Sequence, residues 1–108
     1  MKARIQVEGF DWDEGNRFKS EAKHGISTDE IELFFQQELW VLPDPHHSMT
    51  ERRFLAIGIS PAHHQKPIMV VFTFREKDKQ NLVRPISARR MNEREEKKFE
   101  EAFRKDQK

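Results

Sequence analysis

The chain has 108 residues, enough for one hydrophobic core and too few for two, so we expect a single domain over residues 1–108. Its residues are 36% charged with a formal net charge of +1, so any site for polyanions must come from local clustering of cations. The absence of cysteine excludes disulfides and thiolate chemistry, and no apolar run has the length of a secretory signal or a membrane span, which favours a cytoplasmic protein without membrane contact.

The start of the chain predicts a short strand followed by a helix. Ile5 and Val7 alternate with polar residues, which is the pattern of a half-buried strand. Asp11 or Asp13 is expected to cap a helix that reaches about His24. The glycine after that histidine tolerates the left-handed conformation at which helices commonly end.

Two further helices are predicted from their capping residues. Ser27 and Glu30 have the spacing of a capping box, so a second short helix is expected to pack beside the first. Near the other end of the chain, Asn92 is expected to cap a helix with an apolar stripe that includes Phe99 and Ala102.

Four apolar runs between the second and the last helix predict strands. They cover residues 39–42, 54–59, 68–74 and 82–86, and the polar or proline-containing segments between them fit an antiparallel meander. Pro85 lacks an N–H donor, so the last strand is expected to lie at a sheet edge or to carry a bulge. The predicted fold class is therefore α+β: an antiparallel meander with two short N-terminal helices and a C-terminal helix.

Three arginines are predicted to share one face of this sheet. Counting outward from the middle of each connecting loop places Arg53 opposite Arg75, and Arg84 opposite Thr73 across a turn centred at residues 78–79. Three clustered guanidinium groups repel one another, and a bound phosphate would relieve that repulsion through bidentate hydrogen bonds. The alternative is that each arginine is a solvated residue at a strand end, paired with a nearby carboxylate.

Four motifs along the chain, taken in order, resemble one protein family. They are Phe10 to Asp13 followed by Asn16, Lys23 to Ser27, Glu51 to Gly58, and Arg84 to Arg90 with the charged helix after it. This order and spacing are similar to the BrnT family, the small ribonuclease toxins of bacterial type II toxin–antitoxin pairs. The resemblance covers roughly residues 10 to 103, and Phe54, Phe72 and Phe99 stand where the family often has tyrosine.

The resemblance implies a fold, an activity and partners. The fold would be RelE-like, and the activity would be metal-independent endoribonuclease cleavage through the ribose 2′-hydroxyl, with no cofactor. The partners would be RNA and a cognate antitoxin, expected to be a BrnA-like ribbon-helix-helix protein. Operator DNA would then be contacted only through the antitoxin.

Five residues are the catalytic candidates under that resemblance. Glu51 would accept the proton of the 2′-hydroxyl, while Arg53, Arg75 and Arg84 would stabilise the charge that develops on the phosphate. His24 would act as general acid or base, because histidine changes charge near neutral pH. The alternatives are a weak surface ion pair for Glu51 and stabilisation of a helix C-terminus by His24.

Four cations are expected to bind the RNA. Lys23 would hold a phosphate, and Arg52 lies next to the arginine cluster. Arg89 and Arg90 are expected beyond the last strand, toward the opposite end of the sheet from Arg53, as contacts to the RNA backbone or a partner. Their alternative role is to support the start of the last helix.

The sequence contains two pairs of adjacent histidines. His46-His47 and His63-His64 lie in predicted loops without a convergent set of ligands, so no metal site is expected there.

The runner-up function is a non-catalytic RNA-binding or antitoxin-binding module. The phenylalanines mostly fit core positions, however, so the chain is expected to lack the exposed aromatics and the basic excess that are typical of base-stacking platforms.

Overall fold

One antiparallel sheet carries the architecture of the chain. The computed structural model describes residues 2–44, 51–61 and 66–106, and describes side chains as far as Ala102. In chain order the elements are β1 (Lys2–Arg4), α1 (Lys19–His24), α2 (Thr28–Phe34), β2 (Glu38–Pro43), β3 (Phe54–Ile59), β4 (Pro67–Lys77), β5 (Gln80–Arg90) and α3 (Glu93–Asp106). The strands are ordered β1-β2-β3-β4-β5 and every neighbouring pair is antiparallel, so the α+β class and the meander are confirmed.

The hairpin of β4 and β5 is longer than the apolar runs predicted. Asp78 and Lys79 form its two-residue turn, with φ angles of 51° and 64°. Turns with positive φ at both central residues match the twist of the flanking strands, so pairing continues to Lys77 and Gln80. The predicted pairing of Thr73 with Arg84 is confirmed. Polar residues extend both strands beyond the apolar runs, because the ladder there is held by backbone hydrogen bonds.

The main core lies on the sheet face that packs against α1 and α2, called here the first face. Phe34 and Phe35 from the end of α2 contact the sheet, and the ring of Phe35 lies 5.1 Å from that of Phe72 on β4. Gly58 on β3 allows this approach, because a Cβ atom there would lie 3.2 Å from the Phe34 ring and 2.6 Å from the Leu39 side chain. Phe72 is a fully buried packing residue.

The first helix begins later than the sequence predicted, at Lys19 instead of just after Asp13. The Asp13 carboxylate accepts hydrogen bonds from the backbone N–H groups of Gly15 and Asn16, and the Asn16 amide oxygen accepts one from Asp13. Such local bonds offer the backbone an alternative to helix, so residues 14–18 form turns. Gly25 ends the helix with φ 69°, as expected.

The edge strand β5 is covered by the segment before α1 and by α1 itself, through hydrogen bonds to its outward backbone groups. These bonds run from Asn81 N–H to the Glu8 carboxylate, from Val83 N–H to the Gly9 carbonyl, from Asp11 N–H to the Val83 carbonyl, from Asn16 Nδ2 to the Pro85 carbonyl, and from Ala88 N–H to the Ser20 hydroxyl. Pro85 lies at this edge beside a bulge opposite Val71 and Phe72, so both expectations for it are confirmed. The first strand, in contrast, is shifted: it covers Lys2–Arg4, and Ile5 and Val7 pack against the core after it.

The last helix packs on the second face of the sheet. Asn92 and Glu95 form a reciprocal capping box, with the Asn92 side chain accepting from Glu95 N–H at 2.9 Å. The Phe99 ring of α3 contacts Trp40 of β2 edge-on at 6.2 Å. The capping by Ser27 is likewise confirmed, since its hydroxyl accepts from Glu30 N–H at 3.2 Å.

Candidate functional site

Eight of the nine predicted site residues separate into two regions at opposite ends of the β4–β5 hairpin, and the ninth, Arg52, lies beside the first region. The first region, called here the compensated cluster, lies near the turn of the hairpin. It contains Asp11, Asp13, Glu51, Arg53, Arg75, Lys77 and Arg84. The second region, called here the basic pocket, contains Lys23, His24, Arg89 and Arg90.

Within the compensated cluster, the pairing of β3 with β4 differs by two residues from the prediction. Phe54 pairs with Phe72, which aligns Arg53 with Thr73 and brings Glu51, not Arg53, level with Arg75. The expectation of Arg53 opposite Arg75 is therefore wrong, although a shift of two residues keeps both on the same face. The prediction counts from a loop centre near His63 and His64, which lie outside the described residues.

Glu51 ties the two arginines together. Its carboxylate lies 3.0 Å from Arg75 Nη2 and 3.7 Å from Arg53 Nε. The Thr73 hydroxyl between the strands donates to the backbone carbonyl of Arg52 at 2.6 Å, which fixes the start of β3. The repulsion between the guanidinium groups is thus relieved by a carboxylate of the chain itself, as in the alternative interpretation of the sequence.

The remaining cations of the cluster hold the segment before α1. The Arg84 guanidinium lies 2.8 Å from the Asp13 carboxylate and 3.4 Å from that of Asp11, and Lys77 Nζ lies 2.8 Å from the other oxygen of Asp11. The hydrogen bond from Lys77, aided by Arg84, lowers the pKa of Asp11 despite its burial. For Asp13, burial acts to raise the pKa, but hydrogen bonds from Arg84 and from the backbone outweigh it and the pKa is lowered.

The basic pocket lies where the end of α1 meets the end of β5. Lys23 and His24 from α1 and Arg89 and Arg90 from β5 line a depression of about 360 Å³. Gly25 stops α1 at this point, and the hydrogen bond from Ala88 N–H to the Ser20 hydroxyl fixes the helix against the strand. The cations therefore converge because two rigid elements end side by side.

Only one cation of the basic pocket is neutralised within the described part of the chain. Arg89 donates two hydrogen bonds to the Glu95 carboxylate, at 2.7 and 2.8 Å. This hydrogen-bonded pair raises the pKa of Arg89. For Glu95, the hydrogen bonds from Arg89 and from Asn92 N–H outweigh burial and lower the pKa to about 2. Lys23, His24 and Arg90 form no ion pair with any described residue and are exposed.

The structure therefore brings His24 to Lys23, Arg89 and Arg90, and not to Glu51. Arg90 pairs with Ile68 at the far end of β4, six residues along β5 from Arg84, which is roughly 20 Å in an extended strand. The expected separation of Arg89 and Arg90 from Arg53 is confirmed. Their expected position beyond the last strand is wrong, because β5 continues through Arg90.

Some predicted residues have a different or an unassigned position. Arg52 is exposed beside the compensated cluster, and its backbone carbonyl makes the contact to Thr73. The histidine pairs at 46–47 and 63–64 lie outside the described residues, and the described ones contain no group of three or more metal-ligating side chains. No helix in the described ranges is long and apolar enough to span a bilayer.

Sequence reasoning missed four residues that organise these regions. Asp11 and Asp13 were interpreted as helix caps, and Lys77 and Glu95 were not singled out. For Lys77 the sequence contained a usable signal. It alternates with Thr73 and Arg75 along one strand, which places all three on the same face. The contact between Asp11 and Lys77 has no such signal, because it depends on the path of the N-terminal segment around the sheet edge.

One family model matches most of the chain. The family model described as "Ribonuclease toxin, BrnT, of type II toxin-antitoxin system" matches residues 12–95. No curated protein matches the chain. The matched range includes strands β2 to β5. It also includes the basic pocket and every residue of the compensated cluster except Asp11.

Proposed function

The chain belongs to the BrnT family of ribonuclease toxins of type II toxin–antitoxin systems, and from that premise we propose that it cleaves RNA in the basic pocket. The observation that carries this proposal is the convergence of four cationic or titratable side chains, of which only Arg89 is paired with a described carboxylate. Open cations bind and stabilise a phosphate, whereas those of the compensated cluster are already engaged. The family membership implies an RNA target and an antitoxin partner.

In the proposed reaction the ribose 2′-hydroxyl is the nucleophile. His24 accepts its proton as the 2′-oxygen bonds to phosphorus and the bond from phosphorus to the 5′-oxygen breaks. Water supplies the proton that the leaving 5′-oxygen takes up. The products are a 2′,3′-cyclic phosphate and a 5′-hydroxyl.

The cations of the pocket supply the charge stabilisation in this scheme. Lys23 and Arg90 are free to approach the phosphate oxygens, where negative charge grows in the transition state. Arg89 is held in place by Glu95, so its guanidinium is oriented before the substrate arrives. Because side chains provide this charge, we propose a reaction that needs no metal ion.

Two further expectations belong to this proposal. We propose that the fold is RelE-like, which is supported by the five-stranded antiparallel sheet and its three helices. We also propose a ribbon-helix-helix antitoxin that carries the DNA contact. Its support is the resemblance of the four motifs to the family.

The experiment is digestion of RNA by the purified chain in EDTA. We expect cleavage of RNA and not DNA, with 2′,3′-cyclic phosphate and 5′-hydroxyl ends. A matched substrate with a single 2′-deoxy nucleotide at the cleaved position should stay intact, because its nucleophile is missing. Absence of cleavage by the wild type, together with tight antitoxin binding, would instead identify a non-catalytic binding module.

A further inference from the structure

Phe18 is a phenylalanine that the core does not use. Its side chain is 61% exposed, more than any other large apolar side chain in the described ranges. It directly precedes α1 and lies between two cations of the chain, Arg17 and Lys19. The guanidinium carbon of Arg17 lies 5.7 Å from the centre of its ring, within cation–π distance. The expectation that the chain lacks exposed aromatics is therefore wrong for this residue.

Helix α1 connects Phe18 to the basic pocket. The helix starts at Lys19, and its last two residues are Lys23 and His24. With a rise of 1.5 Å per residue, Phe18 and His24 lie roughly 9 Å apart along the helix axis. This short axial separation places the exposed ring and the cations of the pocket at the two ends of the same helix.

We propose that Arg17 and Phe18 form a stacking platform for an unpaired RNA base beside the phosphate in the basic pocket. The inference rests on the proposed function and specifies its substrate as single-stranded RNA. Single-stranded RNA is recognised by stacking of splayed bases on aromatic rings and guanidinium planes, with cations holding the backbone. The two components lie at the two ends of α1, with Arg17 and Phe18 directly before the helix and Lys23 and His24 as its last residues.

A protein partner fits Phe18 less well than a base does. Protein docking sites are contiguous apolar patches, whereas the chain neighbours of Phe18 are cations. The other exposed large apolar side chains, Leu33, Leu42, Ile59 and Phe74, belong to α2, β2, β3 and β4 and not to α1. An exposed ring that contacts a guanidinium group and lies between two cations in the chain matches the chemistry of a nucleic-acid base next to phosphate.

The test measures binding of a 2′-O-methyl single-stranded oligonucleotide, which cannot be cleaved, by fluorescence anisotropy. Phe18→Ala should weaken binding about 5- to 150-fold, the range reported by alanine substitution at base-stacking aromatics. Phe18→Trp should retain binding, because it keeps an aromatic face. Leu33→Ala, at an exposed apolar residue of α2, is the matched control and should bind as the wild type does. Thermal unfolding of each variant checks that it is folded.

Three outcomes would overturn the stacking platform. They are wild-type affinity of Phe18→Ala for the single strand, an equal loss of affinity for a duplex whose bases are already stacked, and loss of antitoxin binding alone. The proposed function is tested separately with a Lys23→Ala/Arg90→Ala variant. If that variant binds RNA normally while Phe18→Ala does not, the platform stands and the assignment of the basic pocket fails.

Discussion

The two ends of the β4–β5 hairpin carry similar side chains with opposite consequences. Near the turn, four cations face three carboxylates, and each cation has an ion-pair partner within 4 Å. At the other end, Arg89 is paired while Lys23, His24 and Arg90 are open to solvent. In the proposed function, anion binding depends on the number of cations left without carboxylate partners and not on the number of arginines in a region.

The largest expected difference between the two ends is in the rate of RNA cleavage. His24→Ala and Arg90→Ala should each lower kcat/KM about a hundred- to a thousandfold, because they remove the proton acceptor and a donor to the developing charge. Glu51→Gln and Arg75→Ala, matched changes at the compensated cluster, should stay within about threefold of the wild type. The reverse pattern in steady-state kinetics would move the active site to the turn.

The stability of the fold, in contrast to the rate of RNA cleavage, should depend on the compensated cluster. Arg84→Met removes two contacts from a side chain that is 17% exposed and leaves the buried Asp11 carboxylate with Lys77 alone. The free energy of unfolding should fall by about 1–3 kcal/mol in urea denaturation.

Arg75→Met is the matched control for Arg84→Met. It removes a guanidinium group that is 44% exposed, so it should cost less than about 1 kcal/mol. Unchanged stability of Arg84→Met would show that the ion pairs do not hold the segment before α1.

Acid should destabilise both ends of the β4–β5 hairpin, because carboxylates at each end have lowered pKa values in the folded state. The pKa of Glu95 is lowered from 4.5 to about 2, and those of Asp11 and Asp13 are also lowered. A carboxylate whose pKa is lower in the folded state stabilises the fold fully above its unfolded pKa and loses that effect as pH falls toward the folded value. We expect stability to fall between about pH 4.5 and 2, by about 1–2 kcal/mol for Glu95 after allowance for solvent screening.

The variant Glu95→Gln isolates the contribution of the basic pocket to this acid response. It should remove the part of the acid-induced fall in stability that Glu95 contributes, and Asp11→Asn should remove the part that Asp11 contributes and leave that of Asp13. A wild-type acid response in both variants would exclude these carboxylates as its source.

The smallest effect should be in the salt dependence of RNA binding. Each phosphate contact on a single strand contributes about 0.7 to the slope of log affinity against log salt concentration. Lys23→Ala should reduce the slope by about that amount, and Arg75→Ala should leave it unchanged. Equal reductions would indicate diffuse attraction over the whole surface.

The contrast also shows what the sequence could predict. Periodicity and turn chemistry predicted the meander, the caps at Ser27 and Asn92, the end of α1 at Gly25 and the bulged edge at Pro85. These depend on local rules, so neighbouring residues suffice to predict them.

The division of the site was not predictable, because it depends on register and on long-range contacts. A two-residue shift exchanged Arg53 for Glu51 as the neighbour of Arg75, and nothing in the sequence of the connection specifies that shift. Lys77 reaches Asp11 across 66 residues of chain. Arg89 and Glu95 are close in sequence, but they pair only because β5 turns directly into α3.

The most direct test of the account is an NMR titration of the side-chain signals with a 2′-O-methyl single-stranded RNA. The account predicts saturable shifts of the guanidinium signals of Arg89 and Arg90 and of the His24 ring, with no change at Arg75 or Arg84. Shifts at Arg75 and Arg84, with the basic pocket unaffected, would contradict it.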